Sequence, residues 1–94
     1  MFLVRNCFVA KPGQASKLAT LMKEMASAVP IANHRVMTDV MGEFNRVVFE
    51  YQVESLAAVD AMMQEYASNP IFKEKMKGYT DLWQSGYCEL LKIW

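Results

Sequence analysis

An α+β fold, with one four-stranded antiparallel sheet and its helices on a single side, is what this sequence predicts for one domain spanning residues 1–94. Three observations carry that expectation. Apolar periodicity alternates between two residues and three-to-four residues, in the order strand, helix, strand, strand, helix, short helix, strand. Turn and capping signals punctuate each change of period. Finally, 94 residues allow one modest core, yet 53% of the chain is hydrophobic and eight residues are methionine. That is more apolar material than so small a core hides.

The first strand is Phe2–Ala10 (FLVRNCFVA), ended by the turn signal Lys11-Pro12-Gly13. From Gln14 the period lengthens: Leu18, Leu21, Met22, Met25 and Val29 recur at the spacing of one helix face. Pro30 closes that helix, because it lacks a donor and its ring crowds the preceding turn. His34 to Met41 reads as the second strand, Gly42 to Asn45 as a hairpin connection, and Arg46 to Glu54 as the third strand. Ser55 caps a second helix whose inner face is expected at Leu56, Val59, Met63 and Tyr66. Asn69-Pro70 starts a short helix carrying Phe72, Met76 and Tyr79. Ser85-Gly86 reads as a break before the last strand, Tyr87 to Trp94.

This order, β-α-β-β-α-(α)-β, is the split βαβ pattern of ferredoxin-like folds. Right-handed crossovers lead to the strand order 4-1-3-2, with the third strand central. Its residues Val47, Phe49, Tyr51 and Val53 should then meet the helices. Val48, Glu50 and Gln52 should lie on the face that no helix of this chain covers. A second copy packed sheet to sheet would cover that face and enclose a cavity, so a homodimer through the sheet faces is the expected partner.

Charge and composition narrow the function classes. Ten basic and ten acidic residues cancel, which removes the field that recruits nucleic acid or anionic membrane. No apolar run approaches the roughly 20 residues of a membrane span. The start MFLVRNCFVAKPG lacks a signal-peptide pattern, so a cytoplasmic location is expected. Cys7, Cys88 and the single histidine, His34, have no metal-ligand spacing, and no metal is expected. The two cysteines, on strands one and four, are expected at similar height as neighbouring reduced thiols.

Beyond these patterns, MFLVRN followed by KPGQA resembles the start of antibiotic-biosynthesis monooxygenases, including the haem-degrading ones. A Pro-Gly before the first helix, GEFNRVVFEYQVESLAAVD and SNPIFKEK resemble the NIPSNAP-like group. Together these similarities cover most of the chain and imply a dimeric α+β barrel. On the monooxygenase side, Asn6 matches the strand-one asparagine that haem-degrading members use in the active site. Tyr66 stands where those members carry a functional tryptophan and many cofactor-free members a histidine. Met76 stands at the haem-ligating histidine, and Ile71 at the second histidine of the monooxygenase pattern. Without that ligand, haem degradation is disfavoured and no cofactor is expected.

Each candidate residue has a bland alternative. Asn6 would hydrogen-bond a substrate carbonyl or enolate, or be an ordinary satisfied amide. Glu50 in a partly dry cavity would have its pKa raised toward acid–base use, or else would pair with Arg5, Arg35 or Arg46. His34 would serve as a base near neutral pH, or stand solvated at a strand entrance. Gln52 would join Asn6 in donating to developing negative charge. Tyr66 and Trp83, with Tyr79, would wall a flat aromatic ligand or simply pack.

The functional expectation is therefore a small apolar or aromatic molecule bound in a dimer cavity. In its catalytic form this is a cofactor-independent monooxygenase or isomerase acting on an aromatic or polyketide-like compound. Glu50 or His34 would move the proton, and Asn6, Gln52, Tyr66 and Trp83 would hold the substrate. The alternative is a non-catalytic dimer that binds a ligand or a partner.

Overall fold

The computed structural model describes residues 1–29, 31 and 33–94. Nine apolar-rich residues form β1 (Phe2–Ala10), and α1 (Ala15–Ala28), β2 (Arg35–Thr38) and β3 (Arg46–Val53) follow. The second half holds α2 (Leu56–Ser68), α3 (Pro70–Lys75), a 3-10 turn at Tyr79–Asp81, and β4 (Trp83–Lys92). All strand pairs are antiparallel, in the order β2-β3-β1-β4. This is the predicted ferredoxin-like α+β topology.

Strand alternation divides each strand between two faces. Val4 and Ala10 of β1 and Val47, Phe49, Tyr51 and Val53 of β3 turn toward the helices. There they join Leu18, Met22, Met25 and Ala26 of α1 in the core. Leu18, Ala10 and Val47 have no exposed surface. Residues of the opposite parity lie on an outer face that no helix covers among the described residues. The chain has no helix long and apolar enough to cross a membrane among the described residues.

Local signals explain the helix starts. Ser55 accepts a hydrogen bond from the Ala58 N–H at 3.2 Å. Asn69 Oδ1 accepts from the N–H groups of Ile71 and Phe72 at 2.8 and 3.3 Å, with Pro70 in the first turn of α3. The stop assigned to Pro30 lies outside the described residues.

Four expectations are corrected. β2 ends at Thr38 rather than Met41, because the chain leaves the ladder there. Val40, Met41 and Phe44 are at least 90% exposed, and Gly42 and Asn45 adopt positive φ in the connection. Ser85-Gly86 is no break but part of β4, where Gly86 pairs with Phe8. A Cβ at Gly86 would lie 2.9 Å from the Cys7 carbonyl oxygen, so glycine is what permits this close approach to β1.

The inner face of α2 is rotated from the predicted one. Ala58, Val59, Met62 and Tyr66 pack on the core, while Leu56 and Met63 stay 56% and 61% exposed. The run LAAVDAMM is apolar on several faces, so spacing alone admits more than one inward stripe. Lastly, Cys88 pairs with Asn6 and Cys7 with Tyr87. The offset of one residue sends the two thiols to opposite faces, Cys7 buried and Cys88 exposed.

Candidate functional site

Asn6 has the parity of Val4 and Phe8, and it pairs directly with Phe49 on β3. Its carboxamide therefore points to the helix side. There Asn6, Phe8, Phe49 and Tyr51 form the floor of a cleft between sheet and helices. Met22 and Met25 of α1 give one wall. Met63, Tyr66 and Ala67 of α2, with Phe72, Met76 and Tyr79 beyond it, give the other. The cleft, partly open to solvent, has a volume of about 270 Å³.

Aromatic rings set the shape of this space. Tyr66 and Phe72 stack with centroids 5.6 Å apart and planes within 11°. Phe49 and Tyr51 meet at 5.5 Å in a tilted arrangement. Trp83 packs behind the cleft on Phe8 and Tyr79, at 5.5 and 6.2 Å. Its Nε1 is buried without a hydrogen-bond partner among the described residues.

The polar side chains lining the cleft are few and come from different elements. Among the described residues, no side-chain hydrogen bond engages Asn6, Tyr51, Tyr66 or Tyr79. Burial pushes the phenols of Tyr51 and Tyr66 above their ordinary value of 10.0, more than any neighbouring charge does. Both are neutral hydrogen-bond donors at physiological pH. No carboxylate, cation or imidazole lines the cleft among the described residues. The arrangement is therefore suited to donating hydrogen bonds to an oxygen on a flat apolar molecule.

The sequence-predicted site residues do not all meet here. Asn6 and Tyr66 share the cleft, and Trp83 supports its wall. Glu50 and Gln52 belong to the outer face, with the sheet between them and Asn6. Hence the expected convergence of Glu50 and Asn6 on one cavity does not occur. Their strands pair so that Arg5, not Asn6, lies opposite Glu50.

Glu50 is 1% exposed and held by two guanidiniums. Arg5 Nε donates to Oε2 at 3.0 Å, and Arg35 Nη2 donates to Oε1. Burial alone pushes its carboxyl up, but the hydrogen bonds and charges of Arg5 and Arg35 outweigh that and hold it below 4.5. The direction is opposite to that of the acid–base alternative, and the pairing with Arg5 and Arg35 is the other alternative the sequence offered. Such a carboxylate stays ionised and occupied.

His34 stands on the helix side, its ring 6.4 Å from that of Phe49, and it does not line the cleft. Its Nδ1 lies 2.6 Å from the Ile31 carbonyl oxygen. An oxygen acceptor requires the proton on Nδ1, which leaves the Nε2 lone pair unused by that contact.

Sequence reasoning missed Tyr51 and the methionines of the cleft as lining residues, having placed them in the core. The signal that would have found them is the β1–β3 register. Once Asn6 is set opposite Phe49, its side and its neighbours follow.

The haem ligand position implied by the monooxygenase resemblance falls on Met76, which is 9% exposed in the cleft wall. With no imidazole among the described lining residues, the donor set does not fit haem on that pattern. The described residues also contain no cluster of three or more His, Cys, Asp or Glu side chains able to hold a metal ion.

No protein-family model matches the chain, and no curated protein matches its sequence. Solved structures do match it over nearly its whole length. An uncharacterized NIPSNAP domain protein from Burkholderia xenovorans superposes with TM-score 0.84 at 14% identity, covering 99% of this chain and 94% of that one. A NIPSNAP family protein from Agrobacterium tumefaciens gives 0.84 at 16% identity, over 96% and 82% of the two chains. An antibiotic biosynthesis monooxygenase gives 0.73 at 17% identity, over 99% and 98%. The fold is thus shared with both groups that the sequence resembles.

Proposed function

We propose that this chain is a small-molecule-binding protein of the dimeric α+β barrel type. Its ligand is a flat, largely apolar compound, aromatic or polyketide-like, bearing a carbonyl or enolic oxygen. The observation behind this reading is an aromatic-walled cleft of about 270 Å³ whose polar atoms, Asn6 and the tyrosine hydroxyls, have no partner among the described residues. Small-molecule sites generally have this form: apolar walls with a few convergent polar groups. The parallel rings of Tyr66 and Phe72 favour a flat ligand.

Two forms of the reading share the cleft. In the catalytic form, a cofactor-independent monooxygenase or isomerase, Asn6 and the neutral phenols hold the oxygen of an enolate. Hydrogen bonds to an ionised oxygen are about twice as strong as neutral ones, so the donors favour the enolate over the ketone. The proton goes to solvent from a substrate acidic enough to ionise unaided, since His34 lies outside the cleft. In the non-catalytic form, the NIPSNAP-like alternative, the same contacts hold a ligand that leaves unchanged.

The outer sheet face is the reason for reading the chain as a homodimer. Met37, Tyr87 and Leu91 are 39%, 59% and 38% exposed there, and a second copy is the cover we assign. Two free cysteines accord with a cytoplasmic location.

Tryptophan fluorescence tests the cleft. In a Trp94→Phe background Trp83 is the sole tryptophan, and it packs on the cleft wall. A hydroxynaphthoquinone is expected to quench it saturably. Asn6→Leu should weaken that binding by about 1 kcal/mol, roughly fivefold, and leave naphthalene binding unchanged. Equal affinity in both variants would remove Asn6 from the reading. Chromatography of the recovered quinone separates the two forms, because only the catalytic one returns an altered compound.

A further inference from the structure

We propose that α2 is a lid over the cleft, and that a flat ligand draws its N-terminal half down onto the sheet beside β4. The inference rests on the ligand reading above and adds how the site closes.

The two long helices pack differently. α1 buries Leu18, Met22, Met25 and Ala26, whereas α2, nearly as long, buries none of its residues. Composition does not explain the difference, because LAAVDAMM offers apolar groups on several faces. The floor does. Tyr66 and Ala67 border the cleft, and Met63 lines it while remaining 61% exposed. Next to the cleft floor, the helix-side face of β4 is bare. Cys88, opposite Asn6, and Leu90, opposite Val4, are both exposed. An apolar helix and an uncovered strip of sheet thus border one cleft, each with surface left to bury.

The attachments of α2 allow it to move at one end. Its side-chain hydrogen bonds stay within the helix and its Ser55 cap. Among the described residues, no side-chain hydrogen bond or ion pair ties it to the sheet. At its C-terminal end Tyr66 stacks on Phe72 of α3, and Asn69 ends α2 while its side chain caps α3. Those contacts anchor the last turn. Ser55, in extended backbone, is the joint at the other end. The swing is therefore greatest over residues 56–63, where Leu56 and Met63 are exposed.

A ligand shifts such an equilibrium only through contacts that one form makes and the other lacks. A ring system lying on Asn6, Phe8 and Phe49 supplies them. Its upper face meets Met63 and Tyr66 once α2 descends, and Leu90 loses water in the same step.

Amide hydrogen exchange, resolved by residue, reads the lid first in the free protein. A 13-residue helix is marginal in water by itself, so a half that is not packed frays. The amides of Asp60, Ala61 and Met62 should exchange at least about 100-fold faster than those of Leu21 and Lys23 in α1. On saturation with a hydroxynaphthoquinone they should slow about tenfold or more, with the α1 amides unchanged. These three α2 residues do not line the cleft, so slowing there reports movement rather than contact. Leu90→Ser, also outside the cleft lining, should weaken quinone binding about threefold and keep the wild-type urea midpoint.

Equal exchange of α1 and α2 in the free protein overturns the lid. Saturable quenching of Trp83 with no slowing at Asp60, Ala61 and Met62 also overturns it, and leaves the ligand reading standing. Unchanged affinity in Leu90→Ser overturns the descent onto β4. Absence of saturable quenching removes the ligand reading and the ligand-driven closure together.

Discussion

Glu50→Ala is expected to lower the free energy of unfolding by about 3 kcal/mol, the lower end of what breaking a buried ion pair costs. The side chain is 2% exposed, and it serves as the only carboxylate bound by both Arg5 and Arg35 among the described ion pairs. Removing it leaves two guanidiniums side by side on one face of the sheet. Their partial exposure, 37% and 66%, lets water offset part of that cost, which is why the lower end applies. Urea denaturation of wild type and variant measures the difference.

The same residue gives the stability curve a defined sign. Its folded pKa is held below the ordinary 4.5. The stabilisation is therefore fully present above the unfolded value and is lost as pH falls through the folded value. Wild type should weaken progressively in acid below about pH 4.5, through this group. Glu50→Gln should show a flatter acid limb, having lost the component already at neutral pH. Parallel curves for the two proteins would mean that the pairing with arginine contributes nothing to folding.

Ala67→Phe is expected to abolish ligand binding, weakening it at least about 30-fold, or ~2 kcal/mol. Ala67 is exposed on α2 yet borders the cleft, so a phenyl ring there occupies space that a flat ligand needs. Folding should be affected by less than about 0.5 kcal/mol, because the position is outside the core. Fluorescence titration and urea unfolding of the same variant separate the two effects. Undiminished affinity would place the ligand somewhere other than the sheet–helix cleft.

Much of the fold was legible because period and punctuation agreed. FLVRNCFVA is apolar and β-leaning up to a Lys-Pro-Gly turn, Leu18–Met22–Met25 recurs at helical spacing, and Ser55 and Asn69 are caps with a mechanism. The helix-side face of β3 was readable for the same reason. What sequence could not supply was register between strands. A slip of one residue in the β1–β3 pairing exchanges Asn6 for Arg5 opposite Glu50, and it moves Asn6 from one face of the sheet to the other.

The expected site mixed residues from both faces for that reason: Asn6 and Tyr66 belong to the cleft, Glu50 and Gln52 to the outer surface. The same offset separates Cys7 from Cys88. On α2 the difficulty was different. A helix whose first two turns are apolar on several faces carries too little contrast to show which stripe packs inward, and only the sheet beneath it decides. Gly86 was read as a break because glycine signals turns more often than close strand contacts; the Cys7 carbonyl beside it explains the exception.

Amide chemical shifts recorded during titration with a hydroxynaphthoquinone test the cleft most directly. The account predicts shifts concentrated on the Asn6 side-chain amide and on the backbone of Phe8, Phe49, Tyr51, Tyr66, Ala67 and Phe72, with saturation. Shifts confined instead to Arg5, Met37, Val48, Tyr87 and Glu89 would place the ligand on the outer sheet face and contradict it.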